Sequence, residues 1–532
     1  MANYINKYTN MSSWLNDTDK DFPNVSYWTE EDKINWEDNN PFRLKLFYQN
    51  GDEYTLEYGE GQNPKQLLES DVTRGISSSS DPHYKSKIVK AIIGDYETAL
   101  GYTTNIEGFS VFQYCDNLEE VVFGKNLSLI GKECFYYCNK LKIATTDDMI
   151  LPDSLTTIGE YAFYNGFTVS EDVRRKLFIP KKLTSGLQQN NSDSGEYSGC
   201  FGNSYYRLGF DSIVVDPENT KYDSRENCNA IINKVSNKLI LAANYNAFLP
   251  STVTKIADRA FKYSDITSVD LSNVDTIGMQ SFMNCYNLET VTIGDKITTL
   301  PQQCFFDTKW KNVYIPTQIT SIFEVDSDGY HNRAVLPNYY KIESIVVDPE
   351  NTTYDSRENC NCIIKTSENK VIYVCSNSTL PSTVTKIGSG VFTGTDTPVD
   401  AYLTTIDLSN ITHIDTRAFT YQIKLTELNL PSIVETGTGS FVYCNGLEKI
   451  DFGSNIQQIK GFVFSDPHLN TIICRATTPP NIDSYTFSRN GNKNNNIKNI
   501  YVPYESVTAY QTATNWSRYS TIIKPLSEYV AS

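Results

Sequence analysis

The stretch Ile277–Ile297, IGMQSFMNCYNLETVTIGDKI, carries the pattern from which the fold follows. Val291 and Ile293 alternate with period two, which reads as a short strand. The segment from Gly278 to Phe282 reads as one turn of helix or 3₁₀ structure that drives Phe282 into a core. Cys285 follows three residues after that Phe, and Leu288 three after the Cys. One such segment has an apolar side it cannot bury alone.

The pattern recurs. Thr436–Ile456 reads TGTGSFVYCNGLEKIDFGSNI, and Ile130–Leu155 opens as IGKECFYYCNKLK and closes as LPDSL. The buried-Phe position falls at Phe112, Phe135, Phe163, Phe261, Phe282, Phe305, Phe392, Phe419, Phe441 and Phe464. Adjoining copies lie about 21 to 28 residues apart, the period of leucine-rich repeats. The strand pair recurs at Val121/Phe123, Val313/Ile315, Ile406/Leu408 and Ile450/Phe452. Copies of this kind stack and share one core, so stability becomes nearly a sum over neighbours. Each buried Phe contributes about 2 kcal/mol, which makes the Phe column the main stacking term.

A longer repeat lies over the short one. SIVVDPENTKYDSRENCNAII (Ser212–Ile232) returns as SIVVDPENTTYDSRENCNCII (Ser344–Ile364), with only Lys221/Thr353 and Ala230/Cys362 different. Both copies run into LPSTVTKI, at Leu249–Ile256 and Leu380–Ile387. Near-identity over this length implies duplication of a whole block.

The repeat unit, these two blocks, the LPSTVTKIG stem and the closing IYVPYESVTAYQTATNWSRYSTIIKPL resemble BspA-type leucine-rich-repeat proteins, a family widespread in gut Bacteroidetes. The resemblance covers roughly residues 88–528. It implies a repeat solenoid of the α/β class with a strand-lined face and a role in adhesion or surface recognition.

Four segments are expected. Residues 1–40 hold Trp14, Trp28 and Trp36, fit no repeat, and read as an anchor that docks on something else. Residues 41–104 read as a β-rich N-terminal cap. In it FRLKLFYQNGDEYTLEY (42–58) forms a two-residue hairpin at Asn50-Gly51, joined by Lys87–Ile93. Residues 105–474 form the solenoid, with hairpin insertions at 212–248 and 344–379. Residues 475–532 form a short C-terminal cap, with a strand ending at Val502-Pro503 and a helix over Glu505–Thr514. The opening MANYINKYTN…DFPNVSYW resembles leaders of virion proteins from phages of gut Bacteroidetes, including crAss-like phages. That resemblance implies a virion component, with other virion proteins as partners of residues 1–40. The alternative is a bacterial cell-surface adhesin.

Composition narrows the function. Apolar residues make up 39% of the 532, with 36 Tyr and 25 Phe, which is enough to bury a core. The net charge of -17 disfavours nucleic acid and anionic membranes as partners. No apolar run reaches the roughly 18 residues that span a bilayer, so membrane insertion is not expected. The polar, aromatic start lacks the pattern of a signal peptide, so the protein is expected either to be cytoplasmic or to leave the cell without a cleaved leader, as a virion protein made in the host cytoplasm would.

No enzyme motif stands out. His83, His331, His413 and His468 form no metal or catalytic spacing, and Gly437–Gly439 falls inside a repeat turn. Cys115, Cys138, Cys285 and Cys444 sit three residues after the Phe, and Cys134 and Cys304 in the slot before it, as small core fillers. Cys360-Asn361-Cys362 matches Cys228-Asn229-Ala230 in the twin block, so the module does not require the second thiol, and a metal site would need more ligands. Asp216, Glu218, Asp223 and Glu226, with Asp348, Glu350, Asp355 and Glu358, read as side-chain-capped turns, with calcium as the alternative. The basic residues Arg174–Lys176 and Lys181-Lys182 read as a solvated face.

Neither a metal nor a cofactor is expected. The tracts 184–209 and 322–341 interrupt the repeat and carry Tyr197, Tyr205, Tyr206, Tyr330, Tyr339 and Tyr340. Insertions of this kind map to one edge of a solenoid, and Tyr suits a host-surface glycan or protein. Packing of these loops on the flank is the competing reading. The sequence leaves homo-oligomerisation open.

Overall fold

The computed structural model describes residues 42–57, 66–95, 97–101, 110–138, 140–141, 149–164, 175–187, 200–201, 210–324, 334–393, 403–464, 468–487 and 494–530. The chain forms two compact units, Met1–Val253 and Thr254–Ser532.

In the first unit the N-terminal strands Phe42–Tyr48 and Glu53–Glu57 pair antiparallel, and Ile88–Ile93 pairs antiparallel on the other side of Phe42–Tyr48. Glu120–Val122, the first repeat strand, then adds parallel to Ile88–Ile93. The cap therefore continues into the repeat by hydrogen bonding. The hairpin loop has three residues and not the expected two. Tyr48 N–H donates to Asp52 O and Gly51 N–H to Tyr48 O. Gly51 takes a left-handed φ of 88°, the conformation a three-residue loop demands at that place.

Each coil contributes a second, two-residue strand. Gln66–Leu67, Ala99–Leu100, Leu129–Ile130 and Thr157–Ile158 stack as a parallel sheet. The Gly after this strand is required by close packing of coils. A Cβ on Gly159 or Gly278 would lie 2.3 Å from the backbone nitrogen of Lys132 or Asp258 in the coil before.

The Phe side of each coil is neither α-helix nor 3₁₀, contrary to the sequence expectation; it is a run of turns. Backbone handedness alternates there. Residues two before and two after the Phe are left-handed, as at Glu133/Tyr137, Arg259/Tyr263, Gln280/Asn284, Gln303/Asp307 and Arg417/Tyr421. This alternation turns N–H groups toward the next coil. Phe112 N–H donates to Cys134 O, Phe135 N–H to Ala162 O and Tyr137 N–H to Tyr164 O, all at 2.7–2.8 Å. A helix would have consumed these groups internally, whereas the turn spends them on stacking.

All ten repeat Phe side chains are buried. Their rings stack in columns. Phe135 lies 5.3 Å from Phe112 on one side and 5.3 Å from Phe163 on the other, within 5° of parallel to each. In the second unit Phe261, Phe282 and Phe305 follow at 5.1 and 5.4 Å, and Phe392, Phe419, Phe441 and Phe464 at 4.8, 5.0 and 5.4 Å. Two further rings extend the columns, Phe201 on Phe163 and Phe487 on Phe464.

The second unit holds two long parallel stacks. One runs Lys386–Ile387, His413–Ile414, Glu435–Thr436, Gln458–Ile459 and Asn481–Ile482. The other runs Glu427–Leu430, Lys449–Phe452, Thr471–Cys474, Asn499–Val502 and Ile523–Pro525. Ile406–Leu408, expected as a strand, forms no ladder, although Leu408 is buried. The C-terminal end is closed by the helix Val507–Thr512 and by Trp516, whose ring packs on Phe487 and whose Nε1–H donates to Pro480 O at 2.9 Å. The helix begins two residues later than expected, because Tyr504–Ser506 form a 3₁₀ turn first. Among the described residues no helix is long and apolar enough to cross a membrane.

The twin blocks fold alike. Tyr222–Asp223, Ala230–Asn233 and Lys238–Ala242 form an antiparallel meander, as do Tyr354–Asp355, Cys362–Lys365 and Lys370–Val374. Asn219 donates to Pro180 O and Leu183 O, and Asn351 to Pro316 O and Ile319 O, which pins each block to the coil before it.

Candidate binding surface

Of the residues singled out in the sequence, Trp14, Trp28, Trp36, Tyr197, Tyr205, Tyr206 and Tyr330 lie outside the described residues. Tyr339 opens the short 3₁₀ turn Tyr339–Lys341. Tyr340 is half-buried against the core of the second unit, its hydroxyl receiving the Asn338 amide at 3.4 Å. Tyr340 therefore packs on the flank of its own unit.

The acidic residues of the blocks are engaged within them. Asp216 accepts from Glu218 N–H at 2.8 Å and Asp348 from Glu350 N–H at 2.9 Å, as Asx-type turns do. Asp223 and Asp355 each take both arms of an arginine, Arg225 and Arg357. Among the described residues no group of three His, Cys, Asp or Glu side chains is placed to hold a metal ion.

The structure draws together a different set of tyrosines, on the turn side of the first unit. Tyr114 and Tyr137 occupy the left-handed position two after Phe112 and Phe135, Tyr136 and Tyr164 follow their Phe directly, and Tyr161 precedes Phe163 by two. The Phe points inward while these neighbours stay at the surface; Tyr114 is 46% exposed and the other four are half-buried. Tyr136 stacks on Tyr164 at 4.7 Å and 15°, and Tyr114 on Tyr137 at 5.7 Å and 24°. Tyr136 meets Tyr137 edge-on at 4.7 Å, and Tyr161 meets Tyr164 edge-on at 5.7 Å. Five rings thus form one continuous aromatic patch.

Polar groups frame it. Gln113 Nε2 donates to Glu133 Oε2 at 3.2 Å, and Lys132 lies 3.8 Å from Glu133, 3.7 Å from Glu160 and over the Tyr161 ring. Lys85 stands over Tyr114 while paired with Glu69 at 3.0 Å. Burial and the neighbouring phenols push the Tyr136 hydroxyl well above its ordinary value, so it is a neutral hydrogen-bond donor and acceptor. Sequence reading passed over these residues. The usable signal was Tyr recurring at fixed offsets from the core Phe, in FQYC, FYYC and AFY. The second unit carries a lesser version, with Tyr421 on Tyr443 at 4.3 Å and Phe462 on Tyr485 at 4.9 Å.

A cleft of about 350 Å³ in the second unit is lined by charge: Glu324, Lys370, His413, Asp415, Glu435 and Lys460. Its ions mostly satisfy one another. Lys370 lies 2.7 Å from Glu324 and 3.1 Å from Glu368, Lys365 bridges the same two carboxylates, and Lys460 pairs with Glu435. Burial pushes the Asp415 carboxyl up, against the pull of Lys370. A ligand here would have to displace existing ion pairs, and among the described residues no Phe, Tyr or Trp lines the cleft, whereas the patch presents five rings at the surface.

A model of the BspA type leucine-rich-repeat region matches six copies, over residues 104–184, 243–326 and 368–512, more than half of the chain. The chain belongs to the BspA-type leucine-rich-repeat family, and its fold is that family's repeat solenoid. Among solved structures it is similar to the pneumococcal vaccine antigen PcpA, with 13% identity, 90% of this chain and 96% of that chain covered, and a TM-score of 0.41. It is similar to a leucine-rich cell surface protein from Faecalibacterium prausnitzii A2-165, with 14% identity, 90% and 91% covered, and a TM-score of 0.31. A leucine-rich-repeat protein from Bacteroides ovatus ATCC 8483 gives 16% identity, 91% and 98% covered, and a TM-score of 0.31. No curated protein matches the chain.

Proposed function

We propose that this protein is a non-enzymatic binding protein that holds a neutral saccharide of a bacterial surface on the tyrosine patch Tyr114, Tyr136, Tyr137, Tyr161 and Tyr164. One observation carries the reading: five rings gathered at the surface within a frame of Gln113, Lys132, Glu133 and Glu160. Aromatic faces cover the C–H faces of sugar rings, and amide, ammonium and carboxylate groups at the rim bond their hydroxyls. The rings are ordered by each other and by the Phe column beneath, so little entropy is lost on binding.

The test is binding to an array of bacterial surface polysaccharides, for wild type and for Tyr136→Ala with Tyr164→Ala. Loss of at least about tenfold in affinity with unchanged thermal unfolding supports the proposal, since each stacking partner is worth about 1 kcal/mol. Unchanged affinity of the double variant for every saccharide the wild type binds refutes it.

The setting of display is a separate proposal. The resemblance of residues 1–40 to leaders of phage virion proteins supports a virion component anchored through Trp14, Trp28 and Trp36 to other virion proteins. Family membership favours the alternative, an adhesin on a bacterial surface. Deletion of residues 1–40 distinguishes them: the virion reading requires that incorporation into particles be lost while the repeats stay folded.

A further inference from the structure

The twin blocks differ in their cysteines. Where the first has Cys228, Ala230 and Ala243, the second has Cys360, Cys362 and Cys375. The Cys362 and Cys360 sulfurs stand 2.6 Å apart. That is well inside the separation of two non-bonded sulfurs and a short movement from the roughly 2.05 Å of a disulfide.

The backbone causes the approach. Glu358, Asn359 and Asn361 all have positive φ, at 58°, 53° and 53°, and Asn361 in that conformation curls the chain so that its two neighbours converge. Glu226, Asn227 and Asn229 have 59°, 56° and 52° in the first block, where position 230 is Ala. The module therefore sets the geometry with or without a second sulfur. Both thiols are buried.

We infer that Cys360 and Cys362 are a disulfide-forming pair, a modification site of the second block alone, closed by exchange with a small-molecule disulfide as the chain folds. The Cys360 thiolate attacks one sulfur of the reagent and releases its first thiolate. The Cys362 thiolate then attacks the Cys360 sulfur of the mixed disulfide and releases the second. Two electrons pass from the cysteine pair to the reagent, and the two cysteine protons end on the released thiols. Exchange precedes closure of the block, because burial afterwards shuts out reagents, and the same burial then shields the bond from reduction.

The experiment refolds the full chain in a glutathione and glutathione-disulfide buffer, quenches exchange with acid, unfolds the chain in denaturant so that buried thiols are exposed, alkylates the free thiols, and maps tryptic peptides by mass. Wild type is expected to give Glu358–Lys365 without alkyl groups and lacking two hydrogens, while Glu226–Lys234 is alkylated at Cys228. Cys362→Ala, which copies the first block, is expected to fold and to show Cys360 alkylated; Cys375→Ala is expected to retain the cross-link. Two alkyl groups on Glu358–Lys365 of the refolded wild type would overturn the inference, as would a cross-link that requires Cys375. The wild-type peptide map decides the matter even where a variant fails to fold.

Discussion

Cys285 donates its thiol hydrogen to the carbonyl oxygen of Phe261, one coil back, across 2.9 Å. Cys138 does the same to Phe112 and Cys444 to Phe419, both at 3.1 Å, and where Gln422 replaces the Cys its amide reaches Phe392 O at 2.5 Å. In these four coils the position three after the Phe is therefore a donor slot as well as a filler, whereas the buried Ser264 hydroxyl at the same position after Phe261 has no partner. Burial pushes the Cys285 thiol up, so the proton stays on sulfur. Cys285→Ala is expected to lower the stability of the second unit by about 1–2 kcal/mol, through lost volume and a lost bond. Cys285→Ser, which keeps a donor, should fall less in urea titrations. Equal losses for the two variants would mean that packing alone matters there.

The Phe column predicts a larger effect with a direction. Phe282 is sandwiched between Phe261 and Phe305. Phe282→Ala removes both contacts and opens a cavity in the column, at a cost of about 3–5 kcal/mol. Coils that touch only their neighbours should loosen locally. Amide exchange should accelerate at Phe261 and Phe282, whose N–H groups hold adjacent coils, before it does at Phe441. Uniform acceleration across the second unit would contradict a neighbour-limited column.

Much of this was legible in the primary structure for a physical reason. A solenoid repeats one environment, so a residue type required at one coil is required at the next, and the Phe and Cys positions announce themselves by period. The turn conformation was not legible. Residues at the left-handed positions include Glu133, Gln280, Arg417 and Tyr443, none of which has a glycine's preference for that region, and stacking hydrogen bonds override local propensity. The patch was missed because its five tyrosines come from three coils and meet only after stacking. Tyr340 sat in a tract that broke the repeat, yet it packs on its own flank, since interruption marks an irregular segment and not its exposure.

Three buried hydroxyls break the pattern of their slots. Ser281 and Ser440 occupy the position before the Phe, where Ala162, Ala260 and Ala418 stand in other coils, and Thr436 replaces the strand Ile or Leu found at Ile130, Ile277 and Leu300. All three are fully buried and their hydroxyl oxygens lack a hydrogen-bond partner. Such a group pays desolvation with no return, so Ser281→Ala, Ser440→Ala and Thr436→Val should each raise stability by about 1 kcal/mol. Thermal unfolding of the triple variant is the measurement, and a lower midpoint would refute the reading.

Lys262 supplies a pH dependence. It follows Phe261 and is half-buried, and burial, aided by the charge of Arg259, pushes its ammonium down to about 7. The Tyr263 ring at 5.4 Å works in the opposite direction, but desolvation is the larger effect. The unfolded chain keeps the ordinary value near 10.5, so between about pH 7 and 10.5 it binds more protons than the folded chain. Stability from this group must therefore rise with pH across that window, and the penalty of the buried charge is present in full below it. Lys262→Met removes the penalty. The variant should exceed wild type in urea midpoint at about pH 6, and the gap should close toward about pH 10. A gap that stays constant with pH would show that Lys262 remains charged in the folded protein throughout.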